Sequence, residues 1–188
     1  MNVADFDNDG IEDLFFAQNF FAMRGEDDRL DAGRGLLLKG SGGGKLTPLD
    51  GALSGIKIYG QQRGSAVGDF DGDGRADLAV AQNGAQTKLY HNITAERGLR
   101  VRLKGPSGNP SGIGAILRVK AGGKLGPARE IHGGSGYLSE DSVVQILRAS
   151  AESEIVVLWP GGATTTHRVP QNSREIRLDR SGGLERIR

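Results

Sequence analysis

Eight aspartates stand at matching spacings in two short stretches of this 188-residue chain. Asp5, Asp7, Asp9 and Asp13 surround Gly10, and Asp69, Asp71, Asp73 and Asp77 surround Gly74. Carboxylates crowded in this way repel one another unless a cation neutralises them. Counted from the first aspartate of each stretch they fall at positions 1, 3, 5 and 9. A glycine at position 6 permits a sharp turn, and position 7 offers the backbone carbonyl of Ile11 or Arg75. All of these donors are oxygens. Hard oxygen ligands on a flexible loop suit Ca²⁺, whereas Mg²⁺ demands stricter octahedral geometry and zinc requires His or Cys, which neither loop contains. The predicted cofactor is calcium at two sites. One is held by Asp5, Asp7, Asp9, the Ile11 carbonyl and Asp13, the other by Asp69, Asp71, Asp73, the Arg75 carbonyl and Asp77. The competing reading is a pair of acidic turns without metal, because Asp-Gly pairs are ordinary turn formers.

The two stretches are copies of one unit. Residues 4–19 and 68–83 are identical at 10 of 16 positions, with an offset of 64 residues between Asp5 and Asp69. They are not EF-hands, since position 12, where an EF-hand needs a bidentate glutamate, is Phe16 or Val80. Each loop is followed by a short apolar run at 14–17 or 78–81, and residues 65–67 before the second loop have the same character. These loops therefore join strands rather than helices. Thirty-one glycines, 5% aromatic residues and the lack of a long helical period fit many short strands joined by tight turns.

The motif D-F-D-x-D-G-x-x-D-L followed by an apolar strand resembles the FG-GAP repeat, also called the VCBS-type repeat, of integrin-α-like β-propellers. The 64-residue offset matches one blade of that family. A propeller needs at least about four blades to close, and the pattern here lasts for one to two blades before changing near Asn92. With Met1 just ahead of the first motif, the expectation is a C-terminal fragment of a longer propeller protein.

The second half carries a different signature. Strands are predicted at 99–104, 115–121, 128–132, 155–159 and 175–178, separated by Gly/Pro-rich turns. The strings LRVRLKG, NPSGIGAILRV, REIHGGSGYLSEDS and VVLWPGG together resemble the ASPIC/UnbV domain, which follows FG-GAP repeats in its family. The run QILRA at 145–149 departs from the family's His-Phe-Gly-Leu-Gly-like segment, which leaves strand pairing there open. The implied fold is all-β. Residues 1–92 form a partial β-propeller of one to two blades with calcium-binding loops, 98–180 a small antiparallel β-domain, and 181–188 a tail.

Charge divides along the same line. Residues 1–95 carry 9 Lys and Arg against 14 Asp and Glu, and residues 96–188 carry 15 against 9. The basic residues alternate along a predicted strand at Arg100, Arg102 and Lys104, which reads as a solvated face, and aromatic residues for base stacking are scarce, so nucleic acid is not an expected partner. With no cysteine there is no disulfide or thiol chemistry. No run of the sequence is long and apolar enough to span a membrane. The string at 40–45 lacks the glycine at 39 and the Ser or Thr at 46 that a phosphate loop requires, and Ser135 lacks the glycine at 137 of a nucleophile elbow. His91, His132 and His167 are far apart in sequence. Asn92-Ile93-Thr94 matches the glycosylation acceptor pattern, and Trp159 reads as core.

No catalytic residue is predicted. The expected function is a non-catalytic calcium-binding module for binding or adhesion, engaging a protein or glycan ligand. Family resemblance implies an extracellular, periplasmic or cell-surface location. The alternative, implied by the UnbV resemblance, is an enzyme-associated protein of secondary metabolism with a site at the junction of the two parts. Two physical expectations follow. Proteases should cut at 92–98 and leave 98–180 folded, and a chelator should lower the melting of the N-terminal part alone.

Overall fold

The computed structural model describes residues 1–19 and 33–188. In the first part β1 (Asn2–Ala4), β2 (Asp13–Phe16), β3 (Leu36–Gly40) and β4 (Leu46–Leu49) form an antiparallel meander in that order. A second meander follows from β5 (Gln61–Gly68), β6 (Asp77–Asn83) and β7 (Ala85–Tyr90). The acidic loops join β1 to β2 and β5 to β6, equivalent places in the two sheets. Strand alternation sets their outcome: in β2 Asp13 and Phe15 are buried, whereas Leu14 and Phe16 are half-buried. Between the sheets a single helical turn, α1 (Gly51–Ser54), is capped by Asp50, which accepts the Ala52 N–H at 2.6 Å. Ile56 and Ile58 after it pack with Phe15, Leu78 and Val80 into one apolar cluster shared by the two sheets.

The second part has nine strands: β8 (Leu99–Lys104), β9 (Ile116–Ala121), β10 (Lys124–Leu125), β11 (Arg129–Glu130), β12 (Gln145–Leu147), β13 (Glu154–Leu158), β14 (Thr164–Arg168), β15 (Glu175–Asp179) and β16 (Leu184–Arg186). One sheet runs β12-β8-β15-β16 and the other β10-β9-β13-β14, with β11 also on β9. Pairing is antiparallel except where β15 runs parallel to β8. Leu99, Val101, Ile176 and Leu178 of the first sheet share a core with Leu117, Ile155 and Val157 of the second. Trp159, 2% exposed, closes that core, and its indole N–H reaches Thr165 Oγ1 at 2.9 Å. The described chain is thus nearly all-β, built as four small sheets around two apolar clusters.

The sequence leaves strand pairing in the divergent run 145–149 open; its first three residues, Gln145–Leu147, pair as β12 on β8, and Leu147 is buried. Residues 181–188 are not a loose tail. Here β16 pairs with β15, the Arg188 carbonyl accepts the N–H groups of Arg174 at 2.7 Å and Glu175 at 3.0 Å, and Arg188 Nη2 meets Glu175 at 2.6 Å. A ladder and an ion pair hold this segment without the apolar period that sequence reading looks for.

The stretch 92–98 is likewise not an open linker. Asn92 Nδ2 donates to the carbonyls of Phe6 at 2.7 Å and Ala76 at 3.1 Å, and its backbone N–H reaches Asp77 at 2.8 Å. Its side-chain oxygen accepts the N–H groups of Thr94 and Ala95, Ala95 is buried, and the Gly98 N–H bonds to the Gly74 carbonyl at 2.8 Å. The amide that a glycan would occupy is thereby engaged in joining both acidic loops to the connection. Deleting residues 184–188 removes β16 and one guanidinium of a buried acid, and is expected to lower unfolding free energy by about 2–4 kcal/mol. An unchanged urea midpoint would mean that the segment contributes nothing.

Candidate metal centre

Each acidic loop builds itself from its own carboxylates, in the same way twice. At position 1, Asp5 accepts the N–H groups of Asp9 and Gly10, both at 2.9 Å, and Asp69 accepts those of Asp73 at 3.0 Å and Gly74 at 2.8 Å. At position 5, Asp9 takes the Ile11 N–H at 2.8 Å and Asp73 the Arg75 N–H at 3.0 Å. At position 9, Asp13 takes the Phe6 N–H at 2.9 Å and Asp77 the Phe70 N–H at 3.1 Å. The second oxygen of each position-9 acid reaches the next element, Gly40 N at 2.8 Å or Asn92 N at 2.8 Å. Positions 4 and 6 both turn left-handed, as Asn8 (φ 56°) and Gly10 (φ 90°) in the first loop and Gly72 (φ 76°) and Gly74 (φ 89°) in the second. Asparagine and glycine are the residues that tolerate this. At Gly74 a side chain is also excluded by space, because a Cβ there would sit 2.8 Å from the Gly98 carbonyl.

This scaffolding brings positions 1, 3 and 9 together in both loops. One carboxylate oxygen from each of Asp5, Asp7 and Asp13 lies within 4.8 Å of the others, and the same holds for Asp69, Asp71 and Asp77. Asp9 stands outside the first group. Asp73 instead joins Asp71 and His91 in a third group within the same distance. Ile11 and Arg75 enter through their amides as above, and the Arg75 side chain reaches Asp73 and, through Nε at 2.6 Å, the Ala95 carbonyl. The donor sets at positions 1, 3 and 9 contain only hard oxygens. Asp7 Oδ1 is buried without any hydrogen-bond partner. A carboxylate oxygen without a partner, on a member of a triad made only of carboxylates, fits a cation, and a hard one such as Ca²⁺ in particular.

Burial raises the pKa of Asp5, with Arg129 and the Gly10 and Asp9 amides opposing it. Asp13 and Asp77 are raised for the same reason, each opposed by two backbone N–H groups, and Glu12 is raised by burial against Arg129.

Side chains outside the local motifs reach these loops from elsewhere. Lys39 on β3 pairs with Asp7 and stands 3.5 Å from Asp9. Arg129 on β11 donates from Nε to Glu12 at 2.6 Å and from Nη2 to Asp5 at 3.3 Å. Arg100 on β8 bonds Asp69 through Nη1 and Glu175 through Nε at 3.1 Å. His91 Nε2 is 3.1 Å from Asp71. Burial of Glu175 would raise its pKa, but hydrogen bonds from Arg102, Arg188 and Arg100 outweigh that and bring it down to about 2.

Sequence reading missed these partners. Alternation along β8 places Arg100 on a solvated face, yet it is 6% exposed because that face of β8 meets the second loop. The one available signal was the opposite charge of the two halves. Ser135, considered as a nucleophile, accepts the Asp141 N–H at 2.6 Å and bonds Ser139 through its own amide, so it serves its turn.

A cleft of about 620 Å³ lies between the two parts, lined among others by Val3, Glu12, Ile116, Arg129, His132 and Ile146. Asp141 bridges beside it. Its Oδ1 accepts Asn2 Nδ2 at 2.7 Å from β1 and Val67 N at 2.7 Å from β5. Among the described residues no helix is long and apolar enough to cross a membrane.

The family model described as FG-GAP-like repeat matches residues 5–80, and the one described as ASPIC and UnbV matches residues 105–185. The chain therefore carries FG-GAP-like repeats followed by an ASPIC/UnbV domain, in that order. No curated protein matches the chain.

The roles of the aspartates separate by mutation. Asp13→Ala and Asp77→Ala each remove two backbone anchors and are expected to cost about 2–4 kcal/mol even without metal. Asp7→Ala anchors no backbone and is expected to leave metal-free stability within about 1 kcal/mol, as read from denaturant midpoints. Glu175 has its own signature: with an ordinary pKa of 4.5 and a folded pKa of about 2, its stabilisation is fully present above pH 4.5 and is lost as pH falls toward 2. Glu175→Gln is expected to remove on the order of 3 kcal/mol at pH 7 and to flatten that acid limb.

Proposed function

We propose that the chain is a calcium-binding, non-catalytic module of extracellular or periplasmic β-propeller type, with one Ca²⁺ on each acidic loop. The observation that carries this reading is the double convergence of positions 1, 3 and 9 on all-oxygen triads, with the buried Asp7 Oδ1 left without a partner. Asp5, Asp7 and Asp13 would hold one ion and Asp69, Asp71 and Asp77 the other, while Asp9 and Asp73 fix the loop backbone close by. Bound calcium would neutralise the crowded charge and rigidify the joined strands. The ligand of the module is a protein or glycan met by the loop surfaces or by the ASPIC/UnbV domain.

The alternative, an enzyme-associated protein of secondary metabolism, draws on the cleft between the two parts. The acids of shifted pKa that line it, Asp5 and Glu12, belong to the first metal loop. This favours a structural use of that space over general acid–base chemistry.

Isothermal calorimetry is expected to give two calcium sites per chain and weaker binding of Mg²⁺. Fewer than two sites would contradict the reading. Because ligands bind metal ionised and burial raises Asp5, Asp13 and Asp77, protons compete with calcium. Affinity should fall as pH drops, beginning above the ordinary aspartate range. A pH-independent affinity between pH 7 and pH 4.5 would contradict it.

A further inference from the structure

The strongest feature outside the triads is the way the C-terminal domain touches them. Arg100 and Arg129 come from different strands, β8 and β11, in different sheets, yet both end on the position-1 carboxylate of a metal loop, Asp69 and Asp5. All four side chains are largely buried, at 7% and 1% exposure for the Arg100–Asp69 pair and 14% and 0% for Arg129–Asp5. Each guanidinium is held by a second acid, Glu175 or Glu12. The position-1 carboxylates already receive two or more backbone N–H groups from their own loops. They do not need an arginine to orient them, so what the arginine adds is charge.

We propose that Arg100 and Arg129 are built-in counter-ions: in the metal-free protein they neutralise the loops and hold the C-terminal domain on them, so that calcium binding and domain docking oppose each other. This rests on the calcium reading above. A divalent cation on a triad and a guanidinium on the same carboxylate are like charges in a buried setting, and each weakens the hold of the other. By reciprocity, whatever the arginine takes from calcium affinity, calcium takes from the arginine's hold on the loop. The expectation that a chelator leaves the C-terminal part untouched is replaced. Metal state should reach that domain through these two bonds.

The test uses the full chain with one loop disabled, so that each site is read alone. In an Asp7→Ala background Arg100→Gln should tighten calcium binding at the second loop at least threefold by calorimetry, and in an Asp71→Ala background Arg129→Gln should do so at the first. Arg100→Lys and Arg129→Lys, which keep the charge, should stay near the parent affinity. Weaker binding in the Gln variants would mean that the arginines position the ligands, and equal binding would mean no coupling. Either result overturns the proposal. If the parent Asp7→Ala and Asp71→Ala proteins bind no calcium, the calcium reading falls and the proposal with it. Should a Gln variant fail to fold, the wild-type chain decides: hydrogen exchange at Arg100 Nη1 and Arg129 Nη2, the groups bonded to Asp69 and Asp5, followed by NMR, should quicken at least tenfold on calcium loading. Unchanged exchange overturns the proposal.

Discussion

The structure depends on finding positive charge for two clusters of four aspartates. Each cluster sits on a tight loop between paired strands, and its position-1 and position-9 acids are the staples that close the loop. The acids cannot be dispersed without losing the turn. They can only be neutralised, by a cation, by protons or by side chains brought from elsewhere. Among the described residues, side chains from several elements supply part of that neutralisation. Lys39 comes from a neighbouring strand and Arg75 from within the motif, while Arg100 and Arg129 cross from the other domain.

That requirement accounts for how the two parts meet. Two apolar clusters hold the sheets of each part together, and among the described residues a set of hydrogen bonds and ion pairs joins the parts. Asp141 ties β1 to β5, Asn92 ties the connection to both loops, and the two arginines end on the loops themselves. A buried ion pair stabilises weakly against an apolar alternative, yet removing one partner is costly. Such an interface is therefore selective for the matching loop rather than merely adhesive.

Much of the fold was legible in the sequence because it follows local rules. The repeated loop, the strands on either side of it and the apolar alternation of β8, β9, β13 and β15 all follow from spacing and period. Trp159 as core and the hairpin turn at 40–45 followed in the same way. Partners distant in sequence were not legible. Arg100 sits where alternation places a solvated side chain, and only packing against the second loop buries it. Asn92 matched a glycosylation pattern by its neighbours while its amide is spent on Phe6 and Ala76. Residues 184–186 lack any apolar period and form a strand by pairing with β15, with Arg188 just beyond them on Glu175. The opposite charges of the two halves were visible from the start, and complementarity rather than solvation is what they encode.

The most direct test is a crystal structure of the full chain grown with calcium, with anomalous scattering used to identify the ion. The account expects one calcium on each loop, with oxygens of Asp5, Asp7 and Asp13 and of Asp69, Asp71 and Asp77 at about 2.3–2.6 Å. Loops that stay free of any ion in saturating calcium, with Lys39, Arg129 and Arg100 still seated on the aspartates, would contradict it.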